Sequence, residues 1–330
     1  MDLQLGLFPD EPASRTPAAV VAPATVAPEL IEIAGKLPAN LRLGTSSWSF
    51  PGWDGIVYDR RTSQRVLAQQ GLSAYAEHPL LRTVGVDRTF YRPIPAEDFR
   101  RYADVVPAGF RFLVKADRIL TSPHELEGFG VRATNPRFLD ARYAIEEVVA
   151  PVVEGLGPKA GPILFQFPPI APNLVGGRGQ FVERLQAFLA ELPVGPTYAV
   201  EIRTPAFLTE EYADALRSVD AAHCFTVHPA MASLDRQLAL IQSYQQPALV
   251  VRWMLHSGLQ YEAAKERYEP FNRIVDADSD SRDRIAVAVM DALIAERDVF
   301  VIANNKAEGS APLTVFELAR RIATWEDAPR

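Results

Sequence analysis

Ionisable residues close several short apolar runs of this chain, and their spacing groups them. Glu201 and Arg203 lie two apart, as do Lys115 and Asp117, while Arg252 and His256 lie four apart. Side chains alternate along an extended strand, so residues at even spacing share one face. Val114, Val200, Ile202, Val251 and Trp253 then take the opposite face, which suits packing against helices. Charges gathered on a buried face are costly unless they are paired or used, so this clustering marks a candidate site. Other apolar runs close on Gly44-Thr45-Ser46-Ser47-Trp48, Asp87-Arg88-Thr89-Phe90-Tyr91, Gln166, His228 and Asn304-Asn305-Lys306.

Among these ends Arg88, Lys115, Arg118, Arg203, Arg252 and Lys306 outnumber Asp87, Asp117 and Glu201, although the whole chain carries a net charge of −7. A local positive excess in an acidic protein predicts an anionic ligand, a phosphate or carboxylate held by arginine forks. Glu201 is the candidate general acid or base, because neighbouring cations and partial burial tune a carboxylate. Lys115 is either a Schiff-base nucleophile with a depressed pKa or a phosphate ligand, and the second role is preferred. His256 is the third catalytic candidate, as a proton carrier, with His228 beside it. Arg203, Arg252, Arg88, Asp87, Asp117, Thr45, Gln166, His228, Asn304, Asn305 and Lys306 are the expected substrate contacts. Trp48 and Tyr91, with Trp53 and Phe90, follow the first two runs and suit a stacking wall. With five His, one Cys and no His-Glu-x-x-His, neither a metal centre nor a cofactor is expected.

The elements that must carry these residues are strands alternating with helices. Eight strand-length runs are expected, at 41–44, 81–86, 110–115, 162–167, 198–202, 223–227, 248–254 and 299–303. Their nearly continuous hydrophobicity suits parallel strands covered on both faces. Between them Phe181, Leu185, Phe188, Leu189 and Leu192 recur at helical spacing, Ile285, Val289 and Leu293 follow a Ser281 cap candidate, and Thr209 caps Tyr212, Leu216 and Val219. This pattern predicts a TIM-like (β/α)8 barrel over residues 41–330, with an open doubly wound sheet as the alternative. No Gly-x-Gly-x-x-Gly follows the first strand and no Gly-x4-Gly-Lys-Ser/Thr occurs, which weakens a nucleotide-binding sheet. Barrel enzymes work at the C-terminal ends of their strands, where the ionisable residues fall.

Residues 1–40 are rich in Pro, Ala and Val without sustained period, and read as a disordered tail and extended linker. Its five acids and two bases leave −4 for the rest of the chain, so a general polyanion-binding surface is not expected, though a local basic site is. No apolar run reaches the roughly 20 residues of a membrane helix, and the N-terminus lacks the basic start of a secretory signal. The lone Cys224, in an apolar run, reads as a small buried hydrophobe and fits a reducing, cytoplasmic setting.

Taken together, Gly44-Thr-Ser-Ser-Trp48, Thr89-Phe-Tyr91, Phe112-Leu-Val-Lys-Ala116, Gly161-Pro-Ile-Leu-Phe-Gln-Phe-Pro-Pro169, Val200-Glu-Ile-Arg203 and Asn304-Asn-Lys-Ala-Glu-Gly309 resemble the domain of unknown function 72 (YecE-like) family, in family order. The resemblance implies a TIM-like barrel and no settled activity. The chain departs from it twice. Gly85 and Asp87 stand where the family has Val-Glu-x-Asn, and Arg252-Trp-Met-Leu-His-Ser-Gly258 replaces its Arg-Leu-His-Gly.

Gln4-Leu5-Gly6-Leu7-Phe8 resembles the peptide by which bacterial replication and DNA repair proteins dock on the sliding clamp. An extended peptide of this kind inserts Leu and Phe anchors into an apolar pocket, and Gln supplies a hydrogen-bonding handle. The leading expectation is therefore an enzyme acting on a phosphate-bearing substrate, nucleic acid or nucleotide among them, brought to DNA by its tail. The rivals are a small-molecule lyase or isomerase for a phosphorylated or carboxylated metabolite, and a non-catalytic module bound to the clamp.

Overall fold

The computed structural model describes residues 21–127, 131–241 and 245–324. The clamp-like peptide, Gln4 to Phe8, lies outside the described residues. The described residues form ten strands: β1 (Leu41–Thr45), β2 (Leu81–Val86), β3 (Arg111–Lys115), β4 (His124–Glu127), β5 (Val131–Thr134), β6 (Ala160–Phe167), β7 (Tyr198–Ile202), β8 (Ala222–Val227), β9 (Ala248–Trp253) and β10 (Asp298–Ala303). Eight of them close a parallel barrel in the order β1-β10-β9-β8-β7-β6-β3-β2, each matching an expected run to within two residues. The open doubly wound sheet is thereby excluded. β4 and β5 form a separate antiparallel hairpin between β3 and β6, which the sequence reading did not anticipate.

Alternation along the strands sorts the side chains into two cores. Leu113, Leu164, Ala199, Ala222, Cys224, Ala248, Val250, Phe300 and Ile302 form one cluster inside the bore. Their neighbours, among them Ile163, Phe165, Val200, Ile202, Leu249, Val251 and Val301, pack into the outer core between strands and helices. Two residues further along, the inward set continues as Lys115 on β3, Gln166 on β6, Glu201 on β7 and Arg252 on β9. An apolar plug thus supports a polar layer at the C-terminal end of the barrel. Cys224 belongs to the plug and is fully buried.

The helical spacings hold with one change of cap. Thr209 accepts the N–H of Tyr212 at the head of Glu210–Ser218, but the helix Ser279–Ile294 is capped by Asp278, which accepts the N–H of Ser281. Composition misled more seriously ahead of the barrel. The expected extended linker through Asn40 contains the helix Pro28–Lys36, with Leu30 and Ala34 buried. Glu29 pairs with Arg320 on the C-terminal helix Ala311–Ala323, at 2.8 Å. Leu30, Ile33, Ala34 and Leu37 recur at helical spacing behind a first-turn proline, a signal hidden by the surrounding Pro, Ala and Val. Ordered structure therefore extends N-terminally of Leu41. Ala24 and Ala22 hydrogen-bond to Val57 and Asp59, in the segment that follows β1.

Candidate functional site

The loops after β1, β2 and β9 enclose a cleft of about 820 Å³ over the C-terminal ends of the strands. Six basic side chains line it, Arg61, Arg88, Arg92, Lys115, Lys265 and Lys306, against two acidic ones, Asp87 and Glu269. Trp48, Phe50, Tyr91, Tyr102, Tyr261 and Phe271 supply aromatic surface. Tyr91 and Tyr261 stay about half exposed. Close backbone approach holds the enclosing loops together: a Cβ on Gly52 would lie 1.7 Å from the Pro270 carbonyl oxygen. The loop after β9 is fixed from below by the fully buried Glu308, which accepts the N–H of Asp278 and a bond from Arg282. Its backbone carbonyl accepts the N–H of Val275.

Lys115 reaches the cleft from inside the barrel and is 7% exposed. Its Nζ rests 3.5 Å from the centroid of the Phe90 ring. Burial, helped by the charges of Arg252 and Arg203 and opposed by Asp87 and Glu201, brings its amine down to about 8. Thr89 ties the loop carrying Phe90 to this strand, its hydroxyl lying 2.6 Å from the Lys115 carbonyl.

Beneath this floor a charged network spans the bore. Glu201, with no exposed surface, accepts one bond from Arg252 and another from Arg203 Nε at 2.7 Å. Arg252 also donates to Gln166 Oε1 at 3.2 Å and lies 3.9 Å from Asp87 Oδ1. Burial alone would raise the Glu201 carboxyl, but the two arginines outweigh it and hold it at about 2. Burial likewise opposes the charge on Arg252, and Glu201 with Asp87 more than restores it. Glu201 is therefore ionised at neutral pH and does not reach the cleft wall. His228 is half-buried, accepts the N–H of Ala230, and is kept neutral by burial and by Arg203, with a pKa near 4.

Of the expected contacts, Trp48, Asp87, Arg88, Tyr91, Lys115, Asn304 and Lys306 line the cleft together. Arg88 is held by Asp98 at 2.5 Å and by Tyr102. Asn304 donates to Ser46 at 2.8 Å and accepts the N–H of Lys306. Lys306 lies over the ring of Tyr261, at 3.9 Å. Three expected contacts and the catalytic candidate His256 are held elsewhere. Thr45 faces the helix layer, bonded to Tyr75 and to Ser47. Asp117 caps the turn after β3 through the N–H of Ile119 and accepts the Tyr143 hydroxyl. Asn305 accepts from Trp53 Nε1 at 3.1 Å and from Ala311. His256 is three residues past β9, with its Nδ1 against the Ser257 carbonyl, so strand alternation does not carry it into the bore. Among the enclosing residues the sequence reading missed Arg61, Arg92, Tyr261, Lys265, Glu269 and Phe271. For the last four the visible signal was the long, aromatic and charged stretch between β9 and the helix Ser279–Ile294, whereas Arg61 and Arg92 lie in the connections after β1 and β2.

A closed (β/α)8 barrel with a basic, aromatic cleft at the C-terminal ends of its strands defines the class of protein. The chain belongs to the family described as Protein of unknown function DUF72, whose model matches residues 42–329. Solved structures with this fold include a DUF72 family protein from Enterococcus faecalis V583, with a TM-score of 0.57 and 18% identity over 86% of this chain and 95% of that one. Another is a DUF72 family protein from Thermotoga maritima MSB8, with a TM-score of 0.55 and 18% identity over 86% of this chain and 98% of that one. At this identity the likeness concerns the fold. No curated protein matches the chain, and no helix among the described residues is long and apolar enough to cross a membrane.

Proposed function

We propose that the chain is an enzyme that takes a phosphate-bearing substrate into the basic cleft, with nucleotides and nucleic acid among the ligands its chemistry suits. The observation that carries this reading is the six-to-two excess of basic over acidic side chains around a cleft at the catalytic end of a barrel. Lys306, Lys265, Arg61 and Arg92 hold the anion, and Lys115 at the floor faces the reacting part of the substrate. Glu201, ionised and locked between two arginines, acts as a positioning residue in place of the expected acid or base. Aromatic rings beside the cations suit a ligand with a flat apolar portion.

Titration calorimetry with inorganic phosphate tests the anion site. Lys306→Ala is expected to weaken binding by about tenfold, the usual scale of one charge-assisted contact. Equal affinity in Lys306→Ala and Lys265→Ala would remove the cleft as the anion site. Salt separates two kinds of ligand: binding of a single-stranded oligonucleotide should fall steeply between 50 and 200 mM salt, on the order of a decade or more for several phosphate contacts, and binding of phosphate much less.

The clamp-like peptide extends the proposal to a partner. A partner held by Gln4, Leu5, Leu7 and Phe8 would be tethered to the barrel through the residues that precede Val21. Replacing Leu7 and Phe8 with Ala should abolish sliding-clamp binding in fluorescence polarisation while leaving thermal stability unchanged. A free peptide of residues 1–10 that fails to bind the clamp would end this part of the proposal.

A further inference from the structure

We propose that Lys115 forms an imine with phosphate-bearing aldehydes or ketones that enter the cleft. This rests on the anion-binding reading above and specifies the chemistry at its floor. Arg252 and Arg203 share the carboxylate of Glu201, whereas no hydrogen bond or ion pair with any described residue engages the Lys115 amine, which lies against the Phe90 ring and opens on the cleft. A buried lysine with no carboxylate in contact is poised to lose its proton, and the neutral amine is the nucleophilic form. Burial acts in the same direction on its titration. Lys306, Lys265, Arg61 and Arg92 meanwhile supply phosphate contacts elsewhere on the wall, so the amine is left for the carbonyl.

The nitrogen lone pair bonds to the carbonyl carbon, and the carbonyl π electrons move to oxygen, which takes up a proton. Nitrogen loses a proton, the oxygen leaves as water after a second protonation, and a C=N bond forms in its place. Asp87, the carboxylate on the same wall, carries these protons. The protonated imine draws electrons from the adjacent carbon, which loosens its C–H or C–C bonds, and water returns the free amine. The reaction class is lyase or isomerase chemistry next to a carbonyl.

The test uses the full chain with glyceraldehyde 3-phosphate and sodium cyanoborohydride, which reduces the imine to a stable secondary amine. Peptide mass mapping then locates adducts on the chain's five lysines. The expected result is an adduct concentrated at Lys115, formed at least tenfold faster than with unphosphorylated glyceraldehyde and suppressed by inorganic phosphate. Its rate should rise with pH through about 8. Lys115→Arg should lose the adduct and keep phosphate binding, and the wild-type map stands even if that variant does not fold. Adducts spread over Lys36, Lys159, Lys265 and Lys306 without Lys115 would overturn the inference. Adducts at Lys115 that ignore the phosphate group would overturn the substrate class. Phosphate titration of the same preparation separates the two readings: binding without a Lys115 adduct sinks the imine alone, and absence of both sinks the anion site as well.

Discussion

Glu201→Gln should destabilise the barrel by about 3–5 kcal/mol, the usual cost of removing one partner from a buried ion pair. The substitution keeps the shape of the side chain and removes its charge. Arg252, 1% exposed, would then keep a guanidinium inside the bore with only Gln166 and the more distant Asp87 to answer it. Urea denaturation reads the loss, and a change below about 1 kcal/mol would mean that the network carries no net weight. A double variant separates the causes: adding Arg252→Met should recover part of the stability, because the uncompensated charge goes with it. The pH dependence has a definite sign. The folded carboxyl sits at about 2, below its ordinary value of 4.5, so its stabilisation is fully present above roughly pH 4.5 and disappears as pH falls toward 2. Glu201→Gln should flatten that part of the stability curve.

Lys115→Met should do the opposite to the fold, raising stability by roughly 2–3 kcal/mol at pH 7 while abolishing reaction with carbonyl compounds. The folded amine, near 8, lies below its ordinary 10.5. Protonation is therefore penalised in the folded state: the cost is complete below pH 8 and vanishes as pH rises to 10.5. The gain from Met, which fills the same channel beside Phe90 without a charge, should shrink over that window. Denaturation at pH 7 and pH 10 decides the matter. A variant less stable than wild type at both would mean that the amine is an integral part of the packing, not a group held at a cost for its chemistry.

The barrel was legible because parallel strands covered on both faces leave unbroken apolar runs, and each run was long enough to be seen by itself. Alternation also read correctly as far as the strands extend, which is why Lys115, Gln166, Glu201 and Arg252 share the bore. It failed past their ends. Asp117 and His256 lie beyond the last strand residue, where the chain turns and alternation no longer fixes direction; Thr45 is on a strand but on its outward face. Asn305 begins a short helix, and there its amide serves Trp53 and Ala311. Spacing also says nothing about what covers a charge: Glu201 carries the expected carboxylate at the expected place, but two arginines reserve it. The cleft's far wall, from Tyr261 to Phe271, comes from one long connection, and its meeting with Gly52 depends on tertiary packing that no local pattern encodes. The helix Pro28–Lys36 shows the reverse error, an amphipathic spacing present in the sequence and masked by composition.

Arg252 joins parts of the barrel that the backbone does not join directly. Its guanidinium touches groups from β6 and β7 and approaches the residue following β2, while its own strand hydrogen-bonds only to β8 and β10. A strand at this end cannot peel away alone without also releasing a charge into the bore. Opening here is therefore collective, and amide hydrogens near the C-terminal ends of β6, β7 and β9 should exchange only with unfolding of the whole barrel. A ligand entering the cleft would therefore meet a rigid floor.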